Sequence, residues 1–286
     1  MSKEVAPTGS LSSGEHLAIG ALSGIFELLC QQPLLYIKNC IQQNHPISFR
    51  PSVLYRGVGI MSASMAPVTG VQFAVDGTLS SYLYKTNNVT PSDATRIGTA
   101  AFAGACSSFL SSPAELVMTL QQRTGHSLVQ TTSDVIQKHG FTRLFVGIPL
   151  TMTREIVWCA SFLALGTVLS EKLHDGLPGT FGDRNTASIS QRTATSLIGS
   201  VGAGLVAVFA TQPVDTVKTI VQGKGLEATP ASAVAEFRTL FNGGGIKALY
   251  KGTIPRGVRL VGAVFILSET KKFLEDQAYK LKGLRK

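Results

Sequence analysis

One heptapeptide pattern occurs three times along the chain. Gln212-Pro213-Val214-Asp215-Thr216-Val217-Lys218 ends an apolar run. Altered copies stand upstream at Gln32-Pro33-Leu34-Leu35-Tyr36-Ile37-Lys38 and Ser112-Pro113-Ala114-Glu115-Leu116-Val117-Met118. The copies share more than the proline. Each has Gly nine residues before it (Gly24, Gly104, Gly204), a small residue four before that (Gly20, Ala100, Ser200), and Gln nine after it (Gln42, Gln122, Gln222). Recurrence at a long fixed period dictates architecture ahead of any local motif, because each copy is one supersecondary unit that must stack on its neighbours.

The solvent for such units is set by composition. Of 286 residues, 44% are hydrophobic and only 15% charged, with 29 glycines and a positive mean hydropathy. Apolar, glycine-rich chains of this kind suit helix packing in lipid. The net charge of +9 fits an anionic membrane surface. Nucleic acid is not an expected partner, since the basic residues are not clustered with aromatics. Cys30, Cys40, Cys106 and Cys159 have no paired metal spacing and read as small core residues. The five histidines are dispersed and read as surface residues. Gly199-x-x-Gly202-x-Gly204 lies inside an apolar run, without the strand-turn-helix setting of a phosphate loop. No nucleophile-base or metal constellation points to an enzyme.

Six segments of about 20 residues are expected to cross a bilayer. They run over 16–36, 57–75, 97–114, 145–170, 193–214 and 253–273. The third and fifth carry no charge, whereas the sixth is broken by Arg256, Arg259 and Glu269 and is promoted to a span by the repeat. Segments two, four and six each follow an aromatic-x-Gly: Tyr55-Arg56-Gly57, Phe145-Val146-Gly147 and Tyr250-Lys251-Gly252. One repeat is thus two helices and a loop. Pro33, Pro113 and Pro213 are expected to kink the odd helices, and the small residues to let backbones approach. The expected fold is an all-α membrane bundle of three pseudo-threefold tandem repeats: a polar tail at 1–14, repeats at 15–90, 91–175 and 191–286, and a polar loop at 176–190. The last repeat ends in a basic tail. The polar start lacks an apolar signal core, so no cleavable targeting segment is expected. Basic residues concentrate in the loops after the motifs, which places those loops on the inner side and both termini on the other.

These residues resemble the mitochondrial carrier family. Its signature is Pro-x-acid-x-x-base ending each odd helix, then acid-Gly and aromatic-base-Gly before each even helix. Pro213-x-Asp215-x-x-Lys218 and Gly245-x4-Tyr250-Lys251-Gly252 match it well; Gly140-x4-Phe145-Val146-Gly147 matches in part. The resemblance implies six spans in the mitochondrial inner membrane, termini in the intermembrane space, and exchange of small solutes by alternating access. It also implies a ring of ion pairs closing the matrix side. Carried over, Lys38 pairs with Asp215 and Glu115 with Lys218, while the third contact falls on the apolar Leu35 and Met118, so no charge is orphaned. Gln42, Gln122 and Gln222 match the family's bracing glutamines. The family's opposite gate falls on Asp76-Gly77, Gly166-Thr167 and Lys271-Lys272, with no acid in register. The first loop, from Pro33 to Gly57, is too short for the family's matrix surface helix.

Ionisable side chains within spans point to interior functional positions. Family contacts with solute map onto Ser64, Arg154, Glu155 and Arg259, and onto Glu27, where oxodicarboxylate carriers have an acid. Arg suits carboxylates through its bidentate fork. Two functions follow as expectations. One is exchange of small carboxylates or amino acids. The other is a carrier fold without transport, serving as a structural subunit of a larger inner-membrane complex of respiratory-chain or ATP-synthase type. No cofactor or metal is expected; membrane lipid is, with cardiolipin implied as a bound lipid on the matrix side.

Overall fold

The computed structural model describes residues 13–86, 92–183, 186–227 and 232–281. Most of the polar start and the basic residues Lys282, Arg285 and Lys286 lie outside the described residues. Every regular element within them is helical. The first repeat holds α1 (Ser13–Gln43), α2 (Pro51–Leu54) and α3 (Val58–Ser81), the last running on into a π turn, Tyr82–Thr86. The second holds α4 (Asp93–Thr124), α5 (Leu128–His139), a 3₁₀ turn (Phe141–Phe145) and α6 (Ile148–Cys159). A π turn (Ala160–Leu165) joins α6 to α7 (Gly166–Gly176). After α8 (Pro178–Phe181), the third repeat holds α9 (Ile189–Gly223), α10 (Ala233–Leu249) and α11 (Thr253–Leu281).

Local chemistry sets the boundaries. Ser92 and Thr95 form a capping box that starts α4, and Ser188 with Gln191 does the same for α9. Gly125, in the left-handed region, ends α4. Gly57, Gly147 and Gly252 precede α3, α6 and α11 with φ of 83°, 81° and 81°. That shared conformation is why each even helix is preceded by aromatic-x-Gly: side chains disfavour positive φ. Pro33, Pro113 and Pro213 stand inside α1, α4 and α9, which continue past them.

Burial repeats in register with the motif. Residues 23–24, 27–28 and 31–32 of α1 are buried, as are 103–104, 107–108 and 111–112 of α4, and 203–204, 207–208 and 211–212 of α9. Between them 29–30, 109–110 and 209–210 are exposed in all three. Leu29, Phe109 and Phe209 therefore point outward at equivalent places. The most apolar 18-residue part of Pro51–Tyr84 has a mean hydropathy of 1.4, yet only 6% of it is buried within the protein. Apolar surface on this scale is at home in lipid, not water.

The glycines nine before each proline mark where a repeat's two long helices touch. A methyl added at Gly24 would stand 2.9 Å from Met65, at Gly104 2.3 Å from the Glu155 carbonyl oxygen, and at Gly204 2.5 Å from Leu260. Met65, Glu155 and Leu260 are each eight residues past the aromatic-x-Gly glycine. Between repeats the contacts run in a circle. Gly57 packs on Met118 of repeat two, Gly147 lies against Gln222 of repeat three, and Gly252 packs on Lys38 and Gln42 of repeat one. Repeat one meets two, two meets three, and three returns to one.

Several expectations need correction. The odd helices are 31, 32 and 35 residues long, beyond the expected 20. At about 1.5 Å per residue they overshoot a hydrocarbon core of about 30 Å, because each continues about three turns past its proline. Among the described residues, three helical stretches qualify as spans by length and apolarity alone, Ala18–Gln43, Pro51–Tyr84 and Ile189–Gly223; the other helices fall short in length or apolarity. A methyl added at Gly20 would meet nothing within 4 Å among the described residues, so the expected close approach is not seen there. Cys30 is exposed on the outer face of α1. His174 is buried, with Nδ1 at 2.9 Å from the Gly182 carbonyl and Nε2 at 2.9 Å from Thr195 Oγ1. It anchors the turn between α7 and α9. The first loop carries only the four-residue α2.

Candidate functional site

Past the three prolines, α1, α4 and α9 bring their charged motif residues together. Lys38 Nζ lies 2.8 Å from Asp215 Oδ2, and Lys218 Nζ 2.6 Å from Glu115 Oε2. Lys218 also stands 3.9 Å from Asp215 Oδ1, which joins the two pairs. All four side chains are buried. Charges so far from water persist only when paired and hydrogen-bonded. Gln42 donates to Asp215 Oδ2 at 3.1 Å and to Thr216 Oγ1 at 3.3 Å.

The third seam, between α1 and α4, has no charge. Leu35 and Met118 are both buried there, and Met118 packs under Gly57. One helical turn further, Asn39 Nδ2 donates to Gln122 Oε1 at 2.6 Å. Sequence reading overlooked Asn39. Its signal was position: Asn39 sits four after Leu35, as Gln122 sits four after Met118.

The bracing glutamines do not act alike. Gln42 alone touches an acid of the layer. Gln122 bonds Asn39 and the Arg56 carbonyl (3.3 Å) instead. Gln222 is fully buried with neither amide atom bonded. Gln222 therefore braces no ion pair of the layer among the described residues. A different glutamine holds the loops: Gln32 donates to the Arg56 carbonyl at 2.8 Å and Gln212 to the Lys251 carbonyl at 2.7 Å. Both precede the motif proline. Repeat two has Ser112 there, too short to reach, and its hydroxyl is buried and unpartnered.

Deeper in the bundle lie the candidate solute residues. Ser64, Arg154 and Arg259 are each seven residues past the aromatic-x-Gly glycine. Ser64 donates to its own helix at the Met61 carbonyl, 3.0 Å away. Arg154 turns toward the motif end, where its Nη2 bonds Glu115 Oε1 at 2.5 Å and also Glu155 Oε1. Glu155 in turn lies 3.4 Å from Gln72 Nε2 on α3, which also donates to Ser107 at 3.1 Å. Arg259 is half-buried on α11, and its Nε finds no partner. It acts electrostatically on Glu27 of α1, yet forms no ion pair with it. Gln31 donates to Glu27 at 3.0 Å, and its own amide oxygen is unpartnered. Arg256, one turn from Arg259, donates to Thr211 at 2.7 Å and Gln212 at 3.1 Å, holding α11 on α9.

At the opposite end one ion pair stands out. Arg96 on α4 meets both carboxylate oxygens of Glu171 on α7, at 3.1 and 3.2 Å, and Thr167 at 2.9 Å. The motif register gave no hint of it. Asp76 has one buried carboxylate oxygen without a hydrogen bond. Gly166 admits α9 closely, since a methyl at Gly199 would stand 2.5 Å from its carbonyl oxygen. The side chains of Lys271 and Lys272 lie outside the described residues.

A family model described as mitochondrial carrier protein matches residues 90–176 and 190–277. The chain belongs to the mitochondrial carrier family. Among its relatives is mitochondrial citrate transporter D of Aspergillus niger, 26% identical over 282 residues, covering 87% of this chain and 89% of the relative. Mitochondrial 2-oxodicarboxylate carrier 1 of Saccharomyces cerevisiae is 24% identical over 276 residues, with 84% and 86% covered. A probable S-adenosylmethionine carrier 2, chloroplastic, of Arabidopsis thaliana is 28% identical over 278 residues, with 93% and 76% covered. This carrier is accordingly a membrane transporter of small solutes and not an enzyme. None of the three names points to the structural-subunit alternative.

Proposed function

We propose that this carrier exchanges small carboxylates or amino acids across the mitochondrial inner membrane by alternating access. In this reading the motif end faces the matrix and both termini face the intermembrane space. The observation that carries it is Arg259. Its guanidinium lies in the interior with an unsatisfied donor, beside an acid, Glu27, that it does not grip. A carboxylate would supply the missing acceptor in bidentate geometry. A cationic or amine group on the same solute would find Glu27. Two relatives named for citrate and 2-oxodicarboxylates support the carboxylate class. The buried ionic layer at the motif end is the closed gate, and anionic lipid such as cardiolipin is the partner proposed for the basic motif-end surface.

The test is counter-exchange in liposomes loaded with citrate, a 2-oxodicarboxylate or an amino acid. Labelled solute is expected to enter loaded but not empty vesicles, and Arg259→Ala to abolish entry. Uptake equal to protein-free liposomes across all three classes contradicts the proposal and leaves the structural-subunit alternative.

A further inference from the structure

The interior charges form a line as well as a layer. Glu155, Arg154, Glu115, Lys218, Asp215 and Lys38 follow one another with alternating sign, each within 4 Å of the next. The line sums to zero. It starts on α6, crosses α4 and α9, and ends on α1. Gln72 from α3 lies against its inner end and Gln42 braces its outer end.

Arg154 occupies the hinge of this line. Its two equivalents, Ser64 and Arg259, leave the motif charges alone. Arg154 instead takes the oxygen of Glu115 that Lys218 leaves open, so Glu115 is satisfied by one cation on each side. Without Arg154, Glu155 would stand 5% exposed with only neutral side chains, the Gln72 amide and the Ser111 hydroxyl, against its carboxylate. A buried acid in that position is strongly destabilising. Arg154 also ties α6 to α4 by charge within repeat two.

We infer that Arg154 is a gate-positioning residue and not a solute ligand: with Glu155 it forms the inner end of the charged gate. This rests on the transporter reading only for the word gate. The line of charges itself makes a prediction that needs no solute.

The experiment is thermal unfolding of the purified full chain in mild detergent, with and without citrate as probe. Without citrate, Arg154→Gln is expected to melt several degrees below wild type, and Arg154→Lys to recover part of the loss. Arg154→Gln combined with Glu155→Gln removes both charges and is expected to melt above Arg154→Gln alone. Arg259→Gln is expected to keep the citrate-free melting point and to lose any citrate-induced rise. Should Arg154→Gln fail to fold, the double variant folding in its place supports the inference equally. Arg154→Gln melting like wild type without citrate, while losing the citrate-induced rise, overturns it. If citrate and related carboxylates shift no variant and wild type exchanges nothing, the transporter reading fails, yet the citrate-free melting order still decides the role of Arg154.

Discussion

Glu115 is held by a cation on each oxygen, Lys218 on one and Arg154 on the other. Neutralising it takes a carboxylate from two cations at once, leaving Arg154 only Glu155 and Lys218 only Asp215 at 3.9 Å. Glu115→Gln is therefore expected to cost about 3–5 kcal/mol, measured as loss of unfolding free energy in detergent. The glutamines offer a sharper contrast. Gln42→Met loses a bond to a charged acceptor, worth about 1.5–3 kcal/mol. Gln222→Met removes two unsatisfied polar atoms and should be neutral or stabilising by the same measure. Equal losses at both sites would show that Gln222 is bonded after all. Lys38 with Asp215 and Glu115 with Lys218 were legible because all four occupy motif positions that the resemblance to the carrier family pairs with one another. Arg154 was not. Spacing fixes the height of a residue on a helix, but not which way a long side chain reaches along it, and only the structure shows it turning toward Glu115.

At the scale of elements, the three glycines nine before each proline are alike in sequence and unlike in surroundings. Gly104 faces backbone, the carbonyl of Glu155 at 2.3 Å from an added methyl. Gly24 faces the end of Met65, a flexible thioether that can move. Gly104→Ala is expected to destabilise by about 1–3 kcal/mol, and Gly24→Ala by clearly less. Comparable losses would mean the α4–α6 contact is looser than described. The helices themselves were legible because apolar runs, capping residues and the repeat agreed. Their lengths were not, since polar residues past the prolines look like loop until neighbouring helices are seen to bury Gln42, Gln122 and Gln222. His174 escaped for a related reason. A lone histidine gives no periodic signal, and its two partners come from a turn and from another helix.

For the whole molecule, the circle of glycine contacts from repeat one to two to three and back makes a threefold closed body, but the ionic layer inside it is lopsided. Two seams are charged and the third rests on Leu35, Met118 and the Asn39–Gln122 bond. Installing Leu35→Glu and Met118→Lys together should restore a third pair. Each substitution alone buries an orphan charge, so the double variant is expected to be more stable than either single one, and to exchange solute more slowly than wild type. Faster exchange in the double variant would separate the layer from the gating step. The most direct test of the gate itself starts from a chain with its four cysteines changed to serine, carrying Lys38→Cys and Asp215→Cys. A short bifunctional thiol reagent with a reducible link then ties α1 to α9 at the motif end in proteoliposomes. Exchange lost on cross-linking and regained on reduction is the predicted result. Exchange that continues unchanged while the cross-link is complete would contradict the claim that this layer must part for solute to pass.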